Sequence, residues 1–290
     1  MPPDLDALLT ALYVYVDDSL PASKGAGRPP STNDAEIICL AVAQVLLDCP
    51  GDRRFLAIAS ARLAHLFPQR PKESGYHKRV RRLAPTIARA LQLLAFDSPS
   101  QDGQLRLLDS TPIPCAQSRE TVKRSALAGD AGYGYCAAHS RYFWGFRLYL
   151  LCTPDGMPFG YELAAANLPE RLVAAELLER CTTPGQIIIG DKGFAGHEFE
   201  QLVLDLNCQF RRPDRRNEPY RHGNLGGIRQ WIESIIWSCK GHLSLERHGA
   251  RSLQGLCARI SQRLLALAAC IWHNHHVDHT PRRAITCYDH

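Results

Sequence analysis

The chain has 290 residues, 45% of them hydrophobic, and a formal net charge of +5. That length and apolar content allow one large or two modest buried cores and exclude a disordered or fibrous chain, while so small a net charge names no partner by itself. Eleven cysteines without a Cys-x-x-Cys pair argue against a zinc ribbon or a disulfide framework and predict reduced thiols.

From the amino terminus, Leu5, Leu8, Leu9 and Leu12 have helical spacing. Residues 22–30 break it with Gly, Pro, Lys24 and Arg28, and read as a loop that is either a solvated linker or an arm for a narrow minor groove. Asn33 and Glu36 form a capping box for a helix through Leu47. Further helices are expected over 53–67 and 75–96, the last kinked or divided at Pro85. Residues 51–95 hold ten Lys/Arg against two Asp/Glu, a local excess of 10 − 2 = +8 that the whole-chain figure hides. Lys78, Arg79, Arg81 and Arg82 therefore become candidate DNA-phosphate contacts in a helix-turn-helix-like region. The competing reading is a helical cap whose basic residues face water. The turn-rich stretch 97–103 sets the expected boundary between a helical, DNA-binding domain, 1–100, and a second domain, 101–290.

The second domain reads as mixed α/β with about five strands. The run Leu105 to Leu108 is a strand ending at Asp109, which Pro112 and Pro114 are expected to stop. Gly129 to Gly134 reads as a flexible loop. Tyr133, Tyr135, Tyr142, Phe143 and Trp144 read as core aromatics, with stacking on unpaired bases as the alternative. Two strands flank Pro154-Asp155-Gly156 as a hairpin, and a helix follows over 169–180. Ile187 to Ile189 is a strand leading to Asp191, after which Lys192-Gly193 turns into a helix over 196–206, and 208–211 is a further strand. Residues 211–229 hold six Arg against two acids, a second basic tract. Helices are expected around Glu233 and over 253–272. His273 to His276, with His279, reads as an exposed chain end. The apolar run Leu264 to Trp272 is far below the roughly 18 residues of a membrane span, and the first residues lack a basic leader, so a cytoplasmic protein without a membrane is expected.

Three carboxylates stand out. Asp109 and Asp191 each follow an apolar strand, where open α/β sheets place ligands. At about 100° per residue, Arg229, Glu233 and Lys240 fall near 0°, 40° and 20° on one helix, beside an apolar face of Ile228, Ile232, Ile235 and Cys239. Glu233 thus sits on the rim of a core, rigid yet wet. The bland reading of Arg229 and Glu233 is an ordinary i, i+4 pair. Oxygen-only donors favour Mg²⁺ or Mn²⁺ over zinc, and two such ions could serve an in-line displacement at a phosphodiester.

These residues resemble the DDE transposases of bacterial insertion sequences. Asp109, Asp191 and Glu233 match the acidic triad, and Arg229, Glu233 and Lys240 have the spacing of the Arg-Glu-Lys signature, although Gly226 stands where a Tyr often precedes that Arg. Leu108 to Pro112, Tyr142 to Gly145 and Gly190 to Gly193 look most like the insertion-sequence family nine-eight-two. The resemblance implies a ribonuclease H-like mixed sheet flanked by helices, preceded by a helical amino-terminal domain. It implies cleavage at transposon ends and joining of the 3′-hydroxyls to target DNA, with two Mg²⁺ (or Mn²⁺) ions held by Asp109, Asp191 and Glu233. It further implies terminal inverted repeats and target DNA as partners, phosphate contacts from Arg229, Lys240 and Lys192, and a homodimer when assembled on DNA.

Three rivals compete. An aspartate-nucleophile phosphatase needs a second acid two residues after the first, where Thr111 stands. Another ribonuclease H-like metal-dependent nuclease, or a catalytically inactive transposase-derived DNA-binding protein, would share every motif above.

Overall fold

The computed structural model describes residues 4–20, 30–136, 140–216, 218–219 and 225–288, so the expected Lys24 to Arg28 arm lies outside the described residues. In chain order come helices α1 (Leu5–Ser19), α2 (Asp34–Leu46), α3 (Asp52–Arg62), α4 (Glu73–Arg82) and α5 (Ala84–Asp97). Then follow β1 (Leu105–Ala116), α6 (Arg119–Arg124), β2 (Gly132–Cys136), β3 (Arg141–Cys152), β4 (Pro158–Ala165) and α7 (Glu170–Cys181). The chain continues with β5 (Ile187–Ile189), α8 (His197–Asp205), β6 (Gln209–Arg211), α9 (Gly226–Gly241) and α10 (Leu253–His276). Two compact units result: Met1–Ser98 with Ser238–His290, and Pro99–Trp237.

In the helical unit, local chemistry fixes the helix ends. The Asp4 side chain accepts from the Ala7 N–H to start α1, and Asn33 and Glu36 form the capping box of α2 in both directions. Pro85 lies in the first turn of α5, where its missing N–H would be unpaired in any case, so it divides α4 from α5 instead of kinking one helix. α10 is long and apolar enough to cross a membrane by composition, but 89% of that window is buried against protein. A helix apolar all round needs neighbours on every side, and α5, α2, α4 and α1 supply them. Residues 238–290, placed by the sequence in the second domain, therefore cluster with the first.

The expected exposed chain end after Trp272 holds for His276, which is exposed, but not for the residues before it. α10 runs on to His276, and His273 and Asn274 are buried. His273 Nδ1 lies 2.7 Å from the Tyr288 hydroxyl, and Asn274 donates to the Arg282 carbonyl, so the final residues fold back to cover them. Polar side chains looked solvated by composition; their hydrogen-bond partners come from residues 282–288.

The second unit is a six-stranded mixed sheet of order β2-β3-β1-β5-β6, with β4 also on β3. β1, β5 and β6 are parallel, β3 runs antiparallel to β1, and β4 antiparallel to β3. With α7 and α8 packed through Val173, Leu177, Phe199 and Val203 onto Leu108, Tyr149 and Ile188, this is the expected mixed α/β sheet flanked by helices. The long β3 pairs with β2 along its first half and with β4 along its second. Gly145 marks the change, at φ +152°, where an added Cβ would meet the Ile113 carbonyl oxygen at 2.3 Å.

Two expectations fail here. β1 does not stop at Asp109 but continues to Ala116 through both prolines. Pro112 and Pro114 have the same strand parity, so both lost N–H groups lie on one edge of β1, and beyond Leu107 the β5 edge has no partner strand among the described residues. The expected loop at Gly129 to Gly134 gives way to β2 from Gly132 onward.

The helical unit is pinned by a buried polar cluster. Asp52 accepts from Arg259 and Gln44, and Gln44 accepts from Tyr76 and Gln262. Burial pushes the Asp52 carboxyl up, but the Arg259 charge and the hydrogen bonds outweigh it and hold it below the usual range. Breaking such a pair strands a charge, so R259M should destabilise the protein by about 3 kcal/mol in urea titrations, as should D52N. The double variant should cost clearly less than the two singles summed; additive losses would show the pair is not coupled.

Candidate active site

Asp109 occupies the middle of β1, opposite Leu150 of β3, with buried Leu107 and Leu108 before it. Its carboxylate accepts from the Ser110 N–H at 2.7 Å. Two strands' width is enough to bring in the second acid, because β5 pairs in parallel with the start of β1. Ile188 and Ile189 are buried, and Gly190 lets the Phe210 ring pass within 2.9 Å of where a Cβ would stand. Asp191 then leaves the sheet, and its side chain accepts from the Lys192 N–H at 2.6 Å, starting a 3₁₀ turn that buried Phe194 anchors.

The third acid comes from α9. Ile232, Ile235 and Cys239 are buried as the helical wheel requires, which holds Arg229 and Glu233 on the rim. Arg229 Nη2 lies 3.3 Å from Asp191 Oδ1 and 3.5 Å from Glu233 Oε1, so one guanidinium bridges the turn after β5 and the helix. Asp109 lies within the same field. Burial chiefly, together with the charges of Asp191 and Glu233, lifts its carboxyl to about 6 against the opposing Ser110 N–H and Arg229.

Three acids and one guanidinium, −3 + 1 = −2 when all are ionised, leave an excess of negative charge from hard oxygen donors, which suits a divalent cation. Among the described residues, however, no three His, Cys, Asp or Glu side chains converge on one ion position as they stand. Arg229 spans two of the carboxylates instead.

The other sequence-predicted residues are more dispersed. Lys192 is exposed beside Asp191. Lys240 belongs to the helical unit, 2.8 Å from Glu246. On α4, Lys78 and Arg82 are exposed, Arg81 donates to Gln254 at 2.8 Å, and Arg79 is held inward by Asp34 and the Thr32 carbonyl. In the second basic tract Arg212 is buried between Glu200 and Glu218, whose carboxyl its hydrogen bond holds at about 2. One residue escaped the sequence reading: Arg147, buried on β3, contacts Ser110 Oγ at 3.4 Å and Glu170 at 3.0 Å, bracing the strand at the residue after Asp109. An arginine inside Phe146 to Cys152, otherwise apolar apart from Tyr149, was the available signal.

The sequence profile of the family described as "Transposase DDE domain" matches residues 100–269. A search of curated proteins finds no match. Among solved structures, the chain is similar to piggyBac transposase in its synaptic complex with hairpin DNA, solved by cryo-EM, with a TM-score of 0.42 and 8% identity over 97% of this chain and 75% of that one.

The Asp109 shift has a measurable sign. Its folded value near 6 exceeds the unfolded value of about 3.9, so between those pH values the folded state keeps a proton that the unfolded chain releases. Stability should fall by roughly 3 kcal/mol as pH rises through that window. In EDTA, D109N should lose this slope, matching the parent near pH 4 and exceeding its stability by about 3 kcal/mol at pH 7. Parallel stability curves for the two proteins would show that the site imposes no such cost.

Proposed function

The chain belongs to the family of transposase DDE domains, and from that premise we propose that it cleaves DNA at transposon ends and joins the freed 3′-hydroxyls to target DNA. One observation carries this reading. Carboxylates 82 and 42 residues apart in sequence come into one electrostatic field, two of them on a single guanidinium.

Asp109, Asp191 and Glu233 would hold Mg²⁺ or Mn²⁺. Such ions, two of them in this reading, supply activation of the attacking water or 3′-hydroxyl and stabilisation of the leaving oxygen. The chain's own contribution is positional. β1, braced by Arg147, fixes Asp109, the Lys192 to Phe194 turn fixes Asp191, and the buried isoleucine face of α9 fixes the backbone of Glu233. Arg229, a third exposed, carries the counter-charge in the free protein and can pass its guanidinium to a DNA phosphate, leaving Asp191 and Glu233 to their ligand role. Lys192 and Lys240 would add phosphate contacts, and Lys78, Arg79, Arg81 and Arg82 would position the helical unit on the terminal inverted repeats. Arg79 would do so only through the part of its guanidinium not engaged by Asp34. The working assembly on DNA would be a homodimer, in the cytoplasm.

The direct test is strand cleavage of a labelled duplex carrying the element's end in Mg²⁺. D109N, D191N and E233Q should each lose about a thousandfold or more in rate, roughly 4 kcal/mol of barrier, while retaining duplex affinity. Full cleavage by all three amides would overturn the assigned roles. Separately, K78A and R82A should each lower the slope of log affinity against log salt by about 0.9 for a duplex, uniformly across sequences. An unchanged slope would remove α4 from the phosphate-contacting surface.

A further inference from the structure

β2 turns its small residues inward and its large ones outward. In Gly132-Tyr133-Gly134-Tyr135-Cys136 the glycines are buried, while Tyr133 and Tyr135 are 56% and 48% exposed. The glycines are not interchangeable with larger residues. A Cβ on Gly132 would stand 2.0 Å from Asn167 Oδ1, and one on Gly134 would stand 2.8 Å from the Ala166 Cβ. The strand is thus clamped against the connection after β4 in the one orientation that leaves its tyrosines in water. Tyr142, directly opposite Tyr135 on β3, is 79% exposed, and the two rings lie 5.1 Å apart at 57°. Trp144, opposite Tyr133 on this face, is buried, but burial does not explain Tyr135 and Tyr142 here, since the underside is already filled by Cys136, Phe143 and Ala166.

The surroundings of the face select its occupant. The exposed large apolar side chains of this hairpin are all tyrosines, flat rings with a polar edge suited to stacking, with no exposed aliphatic among its described residues. In the sequence that flanks it, residues 119–141, Arg119, Lys123, Arg124 and Arg141 are exposed, against Glu120 and Asp130, an excess of 4 − 2 = +2. A second copy docking through the same patch would bring like charge to like charge, whereas a polyanion would not. The face also shares strands with the site: from Leu150, opposite Asp109, it is eight residues back along β3 to Tyr142, about 26 Å at some 3.3 Å per residue.

The geometry points to a stacking platform for unpaired nucleobases, formed by Tyr133, Tyr135 and Tyr142, that holds a single-stranded stretch of the DNA being processed. This rests on the reading of the chain as a DNA-cleaving enzyme. Ring faces bind bases of any sequence, while the flanking arginines and lysine track the phosphates.

The test uses the full chain in EDTA, where no cleavage occurs, so its outcome is independent of the carboxylate roles. Fluorescence anisotropy measures binding of a labelled twelve-nucleotide oligothymidylate and of the matching duplex. Y135A/Y142A should weaken the single strand at least tenfold, leave duplex affinity within about twofold, and leave the salt slope of single-strand binding unchanged, because aromatics release no counterions. Y135F/Y142F, which keeps both rings, should bind as the parent does, and thermal melting should confirm that both variants fold. Equal loss on both DNAs, or no loss on either, would overturn the proposal. So would a parent protein that sediments as a dimer and becomes a monomer in Y135A/Y142A, which would make the face a contact between copies of the chain.

Discussion

Like charges held together need a reason and a remedy, and both are visible around Arg229. Asp109, half-buried in the sheet, is driven towards its protonated form by its surroundings and by two neighbouring acids. Beside the Ser110 and Lys192 N–H groups, the compensating charge is a guanidinium that reaches Asp191 and Glu233 at once. A fold selected for stability alone would place apolar residues there, because a grouped set of acids at the edge of a core costs free energy in any protein. The arrangement makes sense if the counter-charge is temporary, with Arg229 exchanging these carboxylates for an anionic substrate while a cation takes its place.

The sheet is what makes that grouping possible. Parallel pairing of β5 with β1 brings the Asp191 turn beside the strand that holds Asp109, and α9, whose Ile232 and Ile235 are buried, carries Glu233 on its exposed side, tied to Asp191 through Arg229. The same sheet extends well beyond the site. Because β1 runs on through Pro112 and Pro114, β3 has a partner far past Asp109, and the β2 hairpin with its outward tyrosines is built on that extension. The prolines, which read as a stop, instead keep one edge of the strand free of further pairing.

Much of this was legible in the residues, for reasons of range. The Asn33 and Glu36 cap, the division at Pro85, the hairpin around Gly156 and the two faces of α9 depend on neighbours within a few positions, where side-chain chemistry acts directly on the backbone. Arg147 was missed because its importance lies in Ser110 and Glu170, 37 and 23 residues away in sequence. His273 and Asn274 were misread because their partners return from a later segment, and Tyr133 and Tyr135 because alternation alone does not say which side of a strand faces the core.

The sequence by itself determined that the chain carries three acids in settings able to hold a hard cation, an Arg-Glu-Lys stripe on one helix, and a basic helical region ahead of a mixed α/β domain. Spacing and polarity are local properties, so a linear reading recovers them. Only the tertiary structure decided that Arg229 now joins two of those acids, that residues 238–290 close onto the first helices, and that β2 shows its tyrosines to solvent. Each of those outcomes turns on which distant surface a side chain meets, and that is set by the packing of the whole unit, where no short stretch of sequence has a say.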